Sequence, residues 1–290
     1  MSRIFSIILF LHMVVITKAE SFSVYGNSIS TYEGYIPIDY LTWFTPSKMK
    51  VEETWWWQVG ESMGWTLCNN SSWSGSRVAY DRDWDYKSYF ISPHRLLNLS
   101  QNGIPDNILV LGGVNDWRWS ISSLGVIEST DSTEFCGAYK LMLDRLRELY
   151  PQANIYCFSI LPIYEKGYTE NSLNSRNWSI IDANCCIKDI CALKGVSFID
   201  MHNCEFSNNV LLYTEDGLHP NVIGMHIIAE FVSARIKELK TQTTLIERNP
   251  TRFNMKIEYQ LNGIIGPSRK NSVSIFKDAN NTYKKIVINK

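Results

Sequence analysis

The stretch that most constrains this chain is Asn107-Ile108-Leu109-Val110-Leu111-Gly112-Gly113. It is apolar at successive positions rather than alternate ones, which fits a strand covered on both faces, and such strands belong to parallel sheets flanked by helices. A parallel neighbour is reached only by a crossover, so the rest of the chain must supply covering helices. It does so in order. A helix is predicted over roughly 132–149, a strand over 154–160, a helix over 178–193 and a strand over 196–200. A long helix follows from Asn221 to about Leu239, with Val222, Met225, Ile228, Phe231 and Ile236 along one face. Upstream, Phe22 to Tyr25 reads as a strand, Glu52 to Gly64 as a helix, Trp65 to Cys68 as a strand, and Ser92 to Leu99 as a short helix with Pro93 at its first position. This alternation predicts an α/β fold, a three-layer α/β/α sandwich around a parallel sheet. Ligands of such sheets gather beyond the carboxyl ends of the strands.

Polar loops fall where those ends must lie. Gly26-Asn27-Ser28 closes the first strand and presents a hydroxyl, although the same tripeptide is common turn chemistry. Asn69 to Ser76 follows the second strand and is rich in turn formers, and Val114-Asn115-Asp116-Trp117 follows the central run. Four of the five histidines, His94, His202, His219 and His226, lie beyond the amino-terminal leader, and only His219 shares a turn with a carboxylate three residues earlier, Asp216. A serine nucleophile needs a base, a carboxylate to orient the base, and donors for the oxyanion, and these residue types can fill those roles. Metal chemistry finds no such support. Asp81, Asp83 and Asp85 lack the glycine and closing glutamate of a calcium loop, and Cys185, Cys186, Cys191 and Cys204 match no common zinc spacing and read as small buried hydrophobes. Neither a metal nor another cofactor is expected.

Taken together, four blocks resemble the SGNH (GDSL-like) hydrolases: Gly26-Asn27-Ser28-Ile29, Ser72-Trp73-Ser74-Gly75-Ser76, Gly113-Val114-Asn115-Asp116 and Asp216-Gly217-Leu218-His219-Pro220. The resemblance spans residues 24 to 220 and keeps the family's order. It implies a flavodoxin-like parallel sheet and a serine esterase, with Ser28 as nucleophile, His219 as base and Asp216 as its orienting carboxylate. It also implies the Ser28 amide, the Gly75 amide and the Asn115 side chain as oxyanion donors. One position departs from the family, Asn27, where an aspartate is usual. Trp73, Asp116 and Trp117 stand near the loops as candidate substrate contacts, and Trp119 offers a further flat face, although roofing the core is an equally open reading for the tryptophans. A binding-only relative and a lipid-directed acylhydrolase remain alternatives to an esterase of short acyl groups on carbohydrate.

The remaining features set the context. Residues 1–19 read as a secretory signal peptide, with Arg3, an apolar run over 4–16 and Thr17-Lys18-Ala19 as the cleavage site, so a secreted, periplasmic or cell-surface protein is expected. That run is too short to span a bilayer, so no integral membrane segment remains after signal removal. A net charge of -1 argues against a nucleic-acid partner and leaves small-molecule or glycan esters open. Seven cysteines permit disulfides without fixing their pattern. The catalytic domain is expected over 20–240, a linker over 241–252 and a β-rich segment over 253–290. That segment carries the alternation from Phe253 to Leu261 and an Asn280-Asn281 turn, and it resembles short carboxyl-terminal segments of exported Bacteroidetes proteins, some of which act as sorting signals. A structural hairpin is the competing reading.

Overall fold

The computed structural model describes residues 19–82, 85–120, 122–248, 258–260, 272–277 and 283–288. Residues 1–18 of the expected leader, Phe253 to Ile257 and Leu261 of the tail's alternation, and the Asn280-Asn281 turn lie outside the described residues. The chain divides into two compact units, Met1–Arg235 and Ile236–Lys290.

In the first unit five strands form one parallel sheet. They are β1 (Ser21–Gly26), β2 (Thr66–Asn70), β3 (Asn107–Leu111), β4 (Asn154–Phe158) and, after a small hairpin of β5 (Tyr164–Glu165) and β6 (Tyr168–Thr169), β7 (Ser197–Ile199). The spatial order is β2-β1-β3-β4-β7. The strand order reverses between β1 and β3, and at such a switch point the loops leave to opposite sides and open a crevice. Strand β3 is buried at every position, as its unbroken apolar run predicts. Its side chains alternate between two cores: Ile108 and Val110 join the cluster that includes Leu96, Tyr139 and Ile187, while Leu109 and Leu111 face the other way.

Helices cover both faces. Helix α2 (Pro93–Asn98), α4 (Phe135–Leu149) and α5 (Ile180–Lys194) pack on the first face, and α1 (Trp55–Met63) on the second, where Trp55 meets the ring of Phe158 edge-on at 5.5 Å. Helix α3 (Val114–Trp119) lies between α2 and α4 in sequence, and α6 (Val210–Tyr213) follows α5. Two local devices fix element ends: Ser179 and Asp182 form a reciprocal capping box at the start of α5, and α1 stops at Gly64 in a left-handed conformation. A disulfide joins Cys136 of α4 to Cys186 of α5. This and the exposed Cys185 depart from the reading of the clustered cysteines as small buried hydrophobes, whereas Cys191 and Cys204 are buried thiols.

The last helix, α7, runs from Val222 to Arg248 and crosses the boundary expected at residue 240. Thr241 to Arg248 holds no glycine or proline, so nothing local stops the helix before Pro250. The second unit carries an antiparallel sheet of β8 (Glu258–Gln260), β9 (Ser272–Lys277) and β10 (Tyr283–Ile288) in the order β10-β9-β8.

At the end of β1 the backbone approaches two buried serine side chains closely. A Cβ on Gly26 would lie 2.5 Å from the Ser30 hydroxyl and 2.8 Å from that of Ser72. Both neighbours are buried, and Ser30 Oγ already accepts from the Trp55 indole at 3.2 Å. Gly26→Ala is therefore expected to destabilise the protein by about 1–3 kcal/mol, as overpacking does, and to lower the urea midpoint with an unchanged slope.

Candidate active site

Ser28 starts a single 3-10 turn directly after β1. Asn27 caps that turn, its side-chain oxygen accepting from the Ile29 N–H at 3.0 Å, and Ser28 is 4% exposed. The second β-strand loop is sewn to this turn. Asn70 donates to the Ser30 carbonyl at 2.8 Å and accepts from the Ser72 N–H at 3.0 Å, and the Trp73 N–H reaches the Gly26 carbonyl at 3.1 Å.

The structure brings Ser28, His219 and Asp216 into one hydrogen-bonded line, although Ser28 and His219 are 191 residues apart. The Ser28 Oγ to His219 Nε2 distance is 2.9 Å, and His219 Nδ1 lies 2.8 Å from Asp216 Oδ2. With the proton on Nδ1, the ring donates to the carboxylate and its Nε2 accepts from the serine hydroxyl. The turn is closed around this pair. The other Asp216 oxygen accepts from the N–H groups of Leu218 (3.0 Å) and His219 (2.8 Å), and the Glu215 N–H donates to the His219 carbonyl at 2.8 Å.

Electrostatics favour a neutral imidazole beside an ionised carboxylate. Burial lowers the His219 pKa, Asp216 pulls it up, and the charges of Arg118 and Lys48 push it down again, leaving it below the ordinary histidine value. Burial alone would raise Asp216, but the backbone and ring N–H groups of His219, with the Leu218 amide, outweigh it and hold the carboxyl below its usual range. Trp43 stacks on the His219 ring with centroids 3.7 Å apart and planes 11° apart, and Lys48 Nζ sits 3.8 Å from a Trp43 ring centroid. Trp43 escapes a sequence reading because it lies in an irregular aromatic stretch with nothing local to tie it to His219.

The expected oxyanion donors occupy the same carboxyl-end loops. The N–H groups of Ser28 and Gly75 have no acceptor among the described residues. Asn115 is buried, and one of its amide hydrogens goes to the Ser76 carbonyl at 2.9 Å, which leaves the second and fixes the orientation of the group. Arg95 is a residue the sequence reading misses. Its fully buried guanidinium donates to the carbonyls of Gly26 (2.6 Å), Ser71 (2.6 Å) and Ser88 (2.8 Å), below both loops. A single arginine beside two leucines in a short helix is the sequence sign, and surface arginines share it.

Of the expected substrate contacts, two lie elsewhere in the packing. Asp116 is 1% exposed and its carboxylate accepts from the N–H groups of Val78 and Ala79, so it anchors the loop after β2 to α3 rather than facing outward. Burial pushes its pKa up to about 7, against those two amide bonds and the charge of Arg77. Trp73 is buried against Tyr40, ring centroids 4.2 Å apart. Trp117 is also largely buried, its indole N–H donating to the Ser172 carbonyl at 3.0 Å, but its edge lines an open cavity with Arg118 and Trp119.

The family model described as GDSL-like Lipase/Acylhydrolase matches residues 20–236. Among solved structures, proteins assigned as GDSL-like lipases from Bacteroides ovatus and Bacteroides uniformis are similar. The first is 26% identical with a TM-score of 0.58 over 77% of this chain and 100% of its own. The second is 27% identical with a TM-score of 0.57 over 76% of this chain and 96% of its own. A carbohydrate acetylesterase from Sinorhizobium meliloti shares the fold at 12% identity, with a TM-score of 0.52 over 76% of this chain and 99% of its own. No curated protein matches the chain.

In an NMR titration the His219 ring is expected to show a midpoint below the free-histidine value. Trp43→Ala, which removes the stacked cover and so its share of the burial that disfavours the cation, should move that midpoint upward. A midpoint unmoved by the substitution contradicts this account of the shift.

Proposed function

The chain belongs to the GDSL-like lipase/acylhydrolase family and is a hydrolase, and from that premise we propose that it is an exported serine esterase that removes short acyl groups from carbohydrate through Ser28, His219 and Asp216. The observation that carries this reading is the unbroken line of 2.9 Å and 2.8 Å contacts from the serine hydroxyl through the ring to the carboxylate.

In this mechanism His219 Nε2 takes the Ser28 proton as Oγ attacks the ester carbonyl, and Asp216 holds the ring and stabilises its cation. The negative charge on the tetrahedral oxygen falls to the Ser28 N–H, the Gly75 N–H and the free Asn115 amide hydrogen. The imidazolium then gives its proton to the departing alcohol, the ester bond breaks, and the acyl group stays on Ser28. Water, deprotonated by the same nitrogen, repeats the attack and releases the acid with the serine proton restored. Asn27 is no obstacle to this chemistry, because the bond it makes to the Ile29 N–H needs only a side-chain oxygen, which an amide supplies as well as a carboxylate.

Export rests on the charged and apolar leader over residues 1–19 and on the Cys136–Cys186 disulfide, which belongs to an oxidising compartment. Among the described residues no helix is long and apolar enough to cross a membrane. The preference for carbohydrate over lipid rests on the aromatic and polar side chains of the loops around the site.

Wild-type protein is expected to turn over p-nitrophenyl acetate and to be labelled by a fluorophosphonate, and Ser28→Ala should lose both while remaining folded. Folded wild type that takes no label would sink the enzyme mechanism, and a dominant rate on long-chain esters would replace the short-acyl reading. Because the base works only when neutral and its pKa is lowered, kcat/KM should hold through neutral pH and fall only as pH drops through the lowered value, below that of free histidine. Asn115→Ala should reduce kcat by about 10²–10³-fold in the same assay, the usual effect of deleting one oxyanion donor.

A further inference from the structure

Between the end of α3, the helix that carries Asn115, and the β5–β6 hairpin the surface opens into a cavity of about 380 Å³. Both walls are tied to the site. Helix α3 carries Asn115 in its first turn and Arg118 and Trp119 three and four residues on, which puts them one turn along the same side of the helix. The hairpin is clamped to the turn that holds Asp216 and His219. The Tyr164 N–H donates to the Gly217 carbonyl at 2.8 Å, and a Cβ on Gly217 would lie 1.9 Å from the Tyr164 carbonyl oxygen. Gly217 also has φ +83, so only glycine suits this contact. Across the gap the Arg118 guanidinium pairs with the Glu165 carboxylate.

The lining has a definite chemistry. Trp119 is 57% exposed and Tyr168 is 54% exposed, large aromatic surfaces left to solvent at one rim. Arg118 lies 5.5 Å from the Trp119 ring centroid, and Tyr168 meets Trp117 edge-on at 6.2 Å. Leu173 is the sole aliphatic side chain among the lining residues. An acyl chain placed here would cover the Arg118–Glu165 pair and offer it no hydrogen bonds, which is costly. A sugar ring suits both parts. Its C–H faces cover indole surface while its hydroxyls donate to the carboxylate and accept from the guanidinium.

We propose that this cavity is a subsite for a sugar ring of the ester's carbohydrate portion, with Trp119 as its platform and the Arg118–Glu165 pair as its hydroxyl anchor. The assignment rests on the reading of the neighbouring site as an esterase acting on glycans, and it names where the glycan lies. An ester carbonyl at Ser28 and a sugar at Trp119 would be bridged by the length of α3, so the oxyanion donor Asn115 and the platform are carried on one rigid element.

The test uses xylotetraose and cellotetraose, each free and chemically O-acetylated, with p-nitrophenyl acetate as the small ester. Trp119→Ala, an exposed position, should lower the ratio of kcat/KM for at least one acetylated tetraose to that for p-nitrophenyl acetate by about fivefold or more, in line with the loss of an aromatic contact. Glu165→Gln should lower the same ratio by removing one acceptor charge. A smaller change in both variants, for both sugars, overturns the subsite while leaving the esterase reading intact. Calorimetric titration of the free tetraoses into the Ser28→Ala protein gives a readout independent of turnover. Binding that is weakened at least fivefold by adding Trp119→Ala supports the subsite even if wild type hydrolyses no ester, a result that would defeat the esterase reading alone. Absence of binding to both sugars overturns the subsite.

Discussion

The carbonyl of Gly26 is the point on which the site is hung. It receives the Arg95 guanidinium at 2.6 Å, the Trp73 N–H at 3.1 Å and the Ser76 hydroxyl at 3.4 Å, and the same guanidinium reaches the Ser71 carbonyl at 2.6 Å. One planar cation thus ties the carboxyl ends of β1 and β2 together. Among the described residues no carboxylate pairs with it. Its charge is met instead by carbonyl dipoles and by the rings of Tyr25 and Phe90, 4.7 Å and 4.5 Å away, while burial draws its pKa down. Arginine suits such a place because its fork spans two acceptors at once and its cation is weakly hydrated. The loops bearing Ser28 and Gly75 are therefore tied to one another, and on the proposed reading donors fixed before the reaction would have nothing to reorganise during it.

A second layer of order sits on the other side of the serine. Lys48, Trp43 and His219 stack as cation, indole and imidazole, and Lys48 is also within 3.6 Å of Glu215 in the turn below. This stack does two things at once. It limits the imidazole to rotation in its own plane, and it withdraws water from the ring so that the neutral form prevails. Asp216 counters that burial from the Nδ1 side and stays ionised, since three N–H groups point at its oxygens. The two shifts have opposite physical origins and leave the pair in the protonation states that a serine base requires near neutral pH.

How much of this is legible in the sequence follows from the range over which each residue acts. Strand β3 is legible because burial on both faces is written into successive side chains. Ser28 and the Asp216–His219 pair are legible because each depends on a short turn whose residue types are contiguous. Arg95 and Trp43 are not, since their partners are carbonyls and a ring brought close only by the fold. Asp116 shows the opposite failure. A carboxylate next to Asn115 looks available for chemistry, yet the backbone amides of Val78 and Ala79 claim it. The Cys136–Cys186 bond is of the same kind, as only the packing of α4 on α5 selects that pair among seven cysteines.

The hairpin β5–β6 and helix α3 lie outside the Ser28, His219 and Asp216 line and, on the proposed reading, would select its substrate. The parallel sheet fixes where Ser28, Gly75 and Asn115 emerge, and that leaves the outer ends of the same elements free to vary. Here the glycine at 217 lets the hairpin backbone rest directly on the turn that carries Asp216 and His219, closer than any side chain would permit. A ligand that presses on the hairpin therefore presses on the histidine's own support, and one that rests on Trp119 presses on the helix that carries Asn115. On the proposed reading, binding energy gained away from the ester is spent on holding His219 as base and Asn115 as oxyanion donor in register, which is where it would accelerate the chemistry rather than merely tighten the complex.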